Sequence, residues 1–378
     1  MSAVTLFLCG DVMTGRGIDQ ILPVPSSPEL FEPSVRDARD YVMLAEERSG
    51  PIPRAVAFDY VWGDALVELR RVAPDARIVN LETSVTRSDD VVWWKGINYR
   101  MHPANVGCLL AAGVDVCVLA NNHVLDWGER GLRETLDVLR RAGIRTAGAG
   151  TTEVAVAPAI VPVRDARVVV FGLGHGSSGI PRSWRAQPEE AGVWLLDDLS
   201  EESAEAVGEL AQRARAPGDV VVVSIHWGTN WGYEVTDAQV RFARALVDHG
   251  IDVVHGHSSH HPRPIETYAG RLILYGCGDF VNDYEGIAGH EAYRADLALA
   301  YVAEIDPASG RLSRLRMIPL RLSRMRLERA SAVDTRWLRA RLERVSRPFG
   351  TVVGISGEDG VLELAPEPLL VQVPPSAT

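Results

Sequence analysis

The sequence lacks any apolar run long enough to cross a membrane. The longest runs, at residues 4–9 and 219–225, are far shorter than the roughly 20 residues that a spanning helix needs. The N-terminal residues 1–9 have neither a basic start nor a small-residue cleavage site, and they enter a strand pattern at once. These absences predict a cytoplasmic protein with no membrane partner.

Cysteine is scarce and basic residues are outnumbered. The 378 residues include four cysteines without any Cys-x-x-Cys spacing, namely Cys9, Cys108, Cys117 and Cys277. This pattern predicts buried reduced thiols and argues against disulfides or a zinc–thiolate site. Lysine and arginine number 39 against 50 aspartates and glutamates, which gives a net charge of −11. Nucleic acid is therefore not expected as a partner, because a phosphate backbone needs a basic surface.

The sequence does contain a regular alternation of short apolar runs with helical patterns, which is typical of an α/β fold. Strands are predicted at residues 4–9, 77–81, 114–119, 167–172, 220–225, 251–255 and 272–275. Helices are predicted at residues 128–142, 201–216, 237–250, with Asp237 as the N-cap, and 333–347.

Two segments depart from this alternation. Residues 16–58 include a proline-rich stretch, and we interpret them as a long insertion after the first strand, a kind of segment that often forms a lid. After about residue 319 the composition changes to an arginine-rich helix, followed by β-like residues up to Val373. We therefore predict a main domain at residues 1–325 and a C-terminal appendage at residues 326–378.

Polar side chains follow the predicted strands again and again. Carboxylates, amides or imidazoles lie at the ends of six strands or just after them. They are Asp11, Asn80 and Glu82, Asn121 to His123, His226, His255 to His261, and Asp279. The carboxyl ends of strands in an open α/β sheet share one edge, where ligands bind, so these side chains are expected to converge. A mixed set of this kind suits a divalent cation such as Mn²⁺, Fe²⁺ or Zn²⁺.

Five motifs occur in order between residue 10 and about residue 285. They are Gly10-Asp11, Asn80-Leu81-Glu82, Asn121-Asn122-His123-x-x-Asp126, His226-Trp227-Gly228 and Gly256-His257-x-x-His260. Together they resemble the capsule-biosynthesis poly-γ-glutamate (CapA-type) family, a branch of the calcineurin-like metallophosphatase fold. The resemblance implies an α/β fold with a central β-sandwich flanked by helices and with metals at the strand ends.

The same resemblance implies a role for each matching residue. Glu82 corresponds to the acidic bridge between two metals, and Asp11 corresponds to the carboxylate of the first site. The ligands of the second site are implied to be Asn122, His226 and His257, while His123 faces the substrate. The cation is implied to be divalent, with Ca²⁺ and Mg²⁺ as further candidates, and no organic cofactor is required.

Two departures from the phosphatase pattern affect the first site. Asp-x-His appears here as Asp11-Val12-Met13, and the closing Gly-His-x-His appears as Gly256-His257-Ser258-Ser259. The first site thereby loses both imidazoles. We expect one well-made metal site and a second that is weak or absent, which argues against ordinary phosphatase activity because a two-metal clamp would be compromised.

Metal-dependent epimerases of ribosomally made lasso-type peptides are a cytoplasmic group that this chain resembles. We therefore predict an isomerase that takes the Cα proton from a residue of a peptide substrate, since a cation on the adjacent carbonyl would stabilise the enolate. His123 and either His260 or His261 are predicted to carry the proton. The sequence predicts no particular oligomeric state.

Two other functions stay open at this point. One is a metal-dependent phosphoesterase or amide hydrolase in which His123 protonates the leaving group. The other is a non-catalytic partner that binds an anionic polymer for a synthase. Candidate substrate contacts are two aromatic residues and two basic residues near the motifs, namely Trp227, Trp231, Lys95 and Arg100.

Overall fold

The secondary structure of the chain was obtained from a computed structural model that describes residues 2–357 and 360–364. Its helices are α1 Gly17–Ile21, α2 Arg39–Ser49, α3 Asp64–Val72, α4 Gly107–Ala111, α5 Gly128–Arg141, α6 Thr152–Val156, α7 Glu201–Ala214, α8 Asp237–Asp248 and α9 Ala332–Ser346.

In the same described part of the chain, strands alternate with these helices. They are β1 Val4–Val12, β2 Ala76–Leu81, β3 Ser84–Val85, β4 Arg100–Met101, β5 Val116–Val118, β6 Arg145–Ala147, β7 Ala149–Gly150, β8 Ala159–Val163, β9 Ala166–His175, β10 Gly192–Val193, β11 Leu195–Leu196, β12 Val220–His226, β13 Val253–His257, β14 Ile265–Tyr268, β15 Arg271–Leu274, β16 Asp279–Val281, β17 Leu297–Ile305, β18 Leu312–Ser323, β19 Arg326–Arg329, β20 Val353–Ser356 and β21 Val361–Leu364.

Two large sheets carry the fold. The larger has the order β20-β21-β18-β17-β1-β2-β5-β6, with β16 beside β1 and β19 beside β18. Its half from β1 to β6 is parallel, whereas β17 and β18 join it antiparallel. The smaller sheet has the order β11-β9-β12-β13-β15-β14, with β8 beside β9, and its central strands are parallel.

The sheets pack face to face around a shared apolar core. Alternate residues of β1, β9 and β12 are buried between them, including Leu6, Leu8, Val168, Val170, Val220 and Val222. The residues between these, such as Phe7 and Val169, are buried in separate clusters on the outer faces. Strands that are buried on both faces have nearly continuous apolar sequences. The predicted α/β sandwich flanked by helices is confirmed.

All seven predicted strands are present. Two of them end later than the sequence predicted, and this difference affects the site. β1 continues to Val12 and β13 continues to His257, so Asp11 and His257 lie within strands and not after them. The N-cap of α8 is Thr236 and not Asp237, because the Thr236 hydroxyl accepts from the Gln239 amide in a capping box.

The C-terminal segment is built into the large sheet. The predicted boundary after residue 325 divides the hairpin of β18 and β19, whose strands pair antiparallel. β21 adds to the other part of β18, and α9 contributes Leu338 and Leu342 to the core between the sheets. Residues 326–357 and 360–364 therefore belong to the body of the fold, and the predicted β-like residues 365–373 lie outside the described residues.

The predicted insertion at residues 16–58 packs against the body of the protein. Its helices bury Ile18 and Tyr41 in the core. The Arg16 guanidinium donates to Asp283 Oδ2 at 2.8 Å and to Glu32 Oε1 at 2.9 Å, and it lies 3.6 Å from the centre of the Tyr41 ring. The buried pair with Asp283 joins the insertion to the segment after β16, and the pair with Glu32 lies within the insertion.

Two predictions from composition can be compared with the fold. All four cysteines are buried free thiols, as predicted. Within residues 2–357 and 360–364, every helix is too short or too polar to cross a membrane.

The packing between the sheets predicts a large cost for a cavity there. Leu8 is fully buried in β1, so Leu8→Ala should lower the free energy of unfolding by about 2–5 kcal/mol in urea denaturation. Leu110→Ala is the matched control, because Leu110 is 48% exposed on α4 and should change stability by less than about 0.5 kcal/mol. Equal effects of the two substitutions would contradict this description of the core.

Candidate metal centre

The polar strand ends of both sheets meet at one edge of the sandwich. The large sheet contributes carboxylates, and the small sheet contributes imidazoles from the ends of β12 and β13. The participating residues are Asp11, Asn80, Glu82, Asn122, His226, His257 and Asp279, and all but Asn122 are almost completely buried. The convergence that the sequence predicts is present.

A close approach of two backbone segments places Asp11 at the centre of this edge. The Asp11 amide donates to the Gly278 carbonyl at 2.9 Å, across the pairing of β1 with β16. A Cβ atom at Gly10 would lie 1.6 Å from the Gly278 oxygen, so only glycine fits before this aspartate. The Gly10-Asp11 motif is thus a requirement of packing as well as of chemistry.

One group of possible metal ligands consists of Asp11, His226 and His257. One donor atom of each lies within 4.8 Å of the others. The two Nδ1 atoms of the histidines are 2.8 Å apart, and Asp11 Oδ1 is 3.8 Å from His257 Nδ1. Burial lowers the pKa of both histidines well below the ordinary value, so both imidazoles are neutral, the form that binds a cation.

A second group consists of Asp11, His260 and Asp279, again with donor atoms within 4.8 Å of one another. His260 Nδ1 lies 2.9 Å from Asp279 Oδ1. Burial disfavours the imidazolium, but the hydrogen-bonded Asp279 carboxylate and the charge of Asp11 together outweigh it and raise the pKa of His260. The sequence predicted that the site of Asp11 has no imidazole. The structure differs, because the chain after β13 brings His260 beside Asp11 and Asp279.

The carboxylate shared by the two groups is Asp11, whereas the sequence resemblance implied Glu82. Asn80 Nδ2 donates to Asp11 Oδ1 at 2.7 Å and lies 3.4 Å from Glu82 Oε2, so it holds the two acids side by side. Burial and the charge of Asp279 raise the pKa of Asp11 to about 7. Burial and the charge of Asp11 raise the pKa of Glu82 well above its ordinary range. A cation between these acids would relieve their repulsion.

The contacts of His226 provide a separate test of whether a cation fits. His226 Nε2 lies 3.0 Å from Asn122 Oδ1, which is an acceptor, and its Nδ1 faces His257 Nδ1. Asn80 Nδ2 lies 3.5 Å from the same Nδ1. These nitrogen atoms, with the neighbouring carboxylate and amide oxygens, are ligands of the chemistry that fits a divalent cation.

Beside the ligand groups, Lys95, His123 and Asp126 form a proton-transfer cluster. His123 Nδ1 lies 2.6 Å from Asp126 Oδ2 and 2.7 Å from Lys95 Nζ, and the lysine also contacts Asp126 Oδ1 at 2.6 Å. The Nε2 atom of His123 lies 3.7 Å from Glu82 Oε1. Burial lowers the pKa of His123 to about 4, and burial also lowers the pKa of Lys95. Because Nδ1 has both an acceptor and a donor beside it, either tautomer of His123 has a partner.

The other predicted catalytic and substrate residues lie at several places. His261 is buried, with Nδ1 3.2 Å from the Pro262 carbonyl and its ring stacked on Tyr293. Trp227 is also buried, and its indole donates to the Tyr275 carbonyl, so it belongs to the core and not to a pocket wall. Arg100 is directed away from the ligand groups, because its guanidinium donates to the Ser88 carbonyl.

Trp231, in contrast, lines a cavity that opens beside the ligand groups. The cavity has a volume of about 440 Å³, and its wall includes Arg16, Arg48, Trp231, His260, Tyr284 and His290. The Trp231 ring stacks on His290 with the ring centres 3.8 Å apart. Part of the insertion thus forms one side of this cavity. Among the predicted substrate contacts, only Trp231 lies in the cavity wall.

Comparison with known proteins agrees with this geometry. Residues 5–284 match the family described as bacterial capsule synthesis protein PGA_cap. The chain belongs to this family. The match includes every residue of the two ligand groups and the proton-transfer cluster.

This PGA_cap chain is also similar in sequence to individual bacterial proteins and in structure to a solved protein. It is 50% identical over 366 residues to the "Probable polyglutamine synthesis accessory protein" of Mycobacterium tuberculosis strain CDC 1551 / Oshkosh, with 96% of each chain covered. It is 28% identical to "PGA biosynthesis protein CapA" of Bacillus subtilis strain 168, with 72% of this chain and 62% of the relative covered. Among solved structures, the 5'-nucleotidase precursor of Thermus thermophilus is similar with a TM-score of 0.46 and 15% identity, covering 84% of this chain and 54% of that one.

The two ligand groups predict two cations per chain with Asp11 common to both. Equilibrium dialysis against Mn²⁺ should find two ions bound to the unaltered protein and one in His257→Ala or Asp279→Asn. Asp11→Asn should lower the occupancy of both sites, because each would lose a ligand.

His249→Ala is the control for this experiment, since His249 ends α8 at a distance from the ligand groups and its loss should leave two ions. Full Mn²⁺ content in both His257→Ala and Asp279→Asn would contradict the assignment of the two groups.

Proposed function

We propose that this PGA_cap protein is a metal-dependent hydrolase that cleaves an amide bond in a polyglutamine- or polyglutamate-type chain. The observation that carries the proposal is the pair of ligand groups that share Asp11, with His123 beside them. The imidazole of His260 in the second group removes one of the two reasons for preferring an epimerase over a hydrolase, namely the expected loss of both imidazoles from one site. The other reason, a predicted cytoplasmic location, stays a prediction.

In this proposal the cations are held by the residues of the two ligand groups. Asp11, His226 and His257 would hold one cation, and Asp11, His260 and Asp279 the other. A bound divalent cation polarises a substrate carbonyl and makes a water molecule more acidic. The neutral state of His226 and His257 favours a cation in the first group, and the crowding of the acids favours a cation in both.

His123 is the group that moves the proton. Its Nδ1 is held by Asp126 and Lys95, so its Nε2 is directed towards Glu82 and the ligand groups. When Nε2 carries the proton, Lys95 can donate to Nδ1. When Nε2 gives that proton to the leaving nitrogen, the Lys95 ammonium passes one proton to Nδ1, and Asp126 can accept from the resulting Nδ1–H.

The substrate class comes from the cavity and from the relatives. A volume of about 440 Å³ falls within the roughly 300–1,000 Å³ of pockets for small ligands, and it can take several atoms on either side of a scissile bond. Its wall combines aromatic rings with Arg16 and Arg48, which suits a peptide-like chain with polar side groups. The relative that is half identical over nearly its whole length has a name that refers to polyglutamine synthesis.

Epimerisation of a peptide residue is the second candidate, and one observation favours it. Two imidazole–carboxylate pairs are present: His123 and Asp126 lie beside Glu82, and His260 and Asp279 lie beside Asp11, where they can move a proton when the second ligand group holds no cation. Two such groups could remove and return a Cα proton on opposite faces of an enolate. A lasso-type peptide as the substrate and a cytoplasmic location stay predictions from the sequence.

Replacement of His123 tests the role of this residue in either reaction. His123→Ala should lower kcat by about 10²–10⁴-fold, because a positioned acid or base contributes that much. Its Mn²⁺ content should stay at the wild-type level, because His123 is not in either ligand group. Loss of Mn²⁺ together with activity would make His123 a ligand and refute this role.

The reactions can be separated with one set of incubations in D₂O. The Mn²⁺-loaded protein would be incubated with poly-L-glutamine, poly-γ-glutamate, a lasso-type precursor peptide and an aryl phosphate, and the products would be examined by mass spectrometry. Amide hydrolysis should give shorter chains without deuterium on carbon, whereas epimerisation should add one deuterium without cleavage. Both reactions should stop when a chelator is added.

Each outcome of these incubations decides between functions. Cleavage of the aryl phosphate alone would replace the amide hydrolase with a phosphoesterase. Deuterium uptake in the peptide alone would establish the epimerase. Tight binding of a polymer without cleavage or exchange would support a non-catalytic role in capsule synthesis and would contradict both enzyme proposals.

A further inference from the structure

A line of buried hydrogen bonds connects the metal centre to the backbone of β1. His255 Nε2 lies 2.8 Å from the Cys9 carbonyl oxygen, and His255 Nδ1 lies 3.0 Å from Ser224 Oγ. Ser224 Oγ lies 3.0 Å from His257 Nε2. The three side chains are almost completely buried, and we call them, with the Cys9 carbonyl, the buried relay.

The direction of each hydrogen bond in the buried relay follows from its first member. The Cys9 carbonyl can only accept, so the single N–H of a neutral His255 must be at Nε2. His255 Nδ1 is then an acceptor and takes the one hydroxyl proton of Ser224. Because Ser224 has no second proton, its oxygen can only accept from His257, which places the proton of His257 on Nε2.

We propose that Ser224 and His255 are positioning residues that fix the tautomer of His257, so that its Nδ1 lone pair faces the metal centre. This Nδ1 is the atom that lies 3.8 Å from Asp11 Oδ1 and 2.8 Å from His226 Nδ1. The other tautomer would direct an N–H at the position of the cation. Partners of this kind typically change metal affinity by about 10–100-fold when they are removed.

An irregularity in β1 makes the Cys9 carbonyl available for this role. The pairing of β1 with β2 is interrupted between Leu8 and Asp11, and the pairing of β1 with β17 ends at Leu8. A bulged residue is left out of the ladder, so its carbonyl needs another donor. The His255 imidazole, from the opposite sheet, supplies that donor.

The first experiment measures the tautomer directly in metal-free protein labelled with ¹⁵N-histidine. Two-bond ¹H–¹⁵N spectra distinguish protonated from unprotonated ring nitrogens, and the signals of His257 are those that disappear in His257→Gln. We expect Nε2 to be protonated and Nδ1 unprotonated in the unaltered protein. Protonation at Nδ1 would overturn the proposal, and the assignment needs only that His257→Gln retains the other histidine signals of the folded protein.

The second experiment measures the dissociation constant for Mn²⁺ by calorimetry in two matched pairs. Ser224→Ala and His255→Met remove the relay and should weaken binding by about 10–100-fold. Ser224→Thr retains a hydroxyl, and His255→Gln retains one donor and one acceptor, so both should bind Mn²⁺ more tightly than their partners. Thermal unfolding of all four variants controls for loss of the fold.

Unchanged Mn²⁺ affinity in folded Ser224→Ala and His255→Met would refute the positioning role. The inference rests on the metal site of the proposed function but not on the reaction, since neither experiment contains a substrate. A protein that shows the expected tautomer and affinities but cleaves no amide would lose the proposed hydrolase activity and keep the buried relay.

Discussion

The structure depends on the burial of several like charges at a single edge of the sandwich. Burial, and then the charges of the neighbouring acids, raise the pKa of Asp11 and Glu82, and the histidines His226 and His257 beside them are neutral. Buried carboxylates are costly in a low-dielectric site unless hydrogen bonds or positive charges offset them. A cation bound at this edge would add to the offset that Asn80 and Lys95 already provide.

The two sheets divide the ligands between them. The acids come from the large sheet, and His226 and His257 come from the small one, so the group of Asp11, His226 and His257 needs both sheets. A cation held in this way also holds the sandwich closed, because binding to the native state alone adds to its stability. The buried relay crosses the same interface, from the β1 carbonyl to His257.

The chemistry of the site is concentrated in imidazoles that each have a fixed partner. His123 has Asp126 and Lys95, His260 has Asp279, and His257 has Ser224. Hydrogen bonds of this kind set which nitrogen carries a proton and which one faces the ligand. In the proposed function the same arrangement serves amide hydrolysis or Cα proton exchange, and the cavity beside His260 is the proposed place of the substrate.

The sequence by itself determined the α/β fold, the family motifs and most of the residues at the site. Short apolar strands that end in polar residues have few other arrangements, so Asp11, Asn122, His226 and His257 could be placed together from their positions in the chain alone. The sequence did not determine that Asp11, and not Glu82, is shared between the two groups, nor that His260 joins Asp279.

Only the tertiary structure decided those points, because they depend on a bend after β13 and on the approach of β1 to Gly278. The buried position of Trp227, the place of the C-terminal strands in the large sheet and the cavity beside Trp231 were decided in the same way. Each depends on contacts between residues far apart in the chain, which local periodicity and motif spacing do not encode.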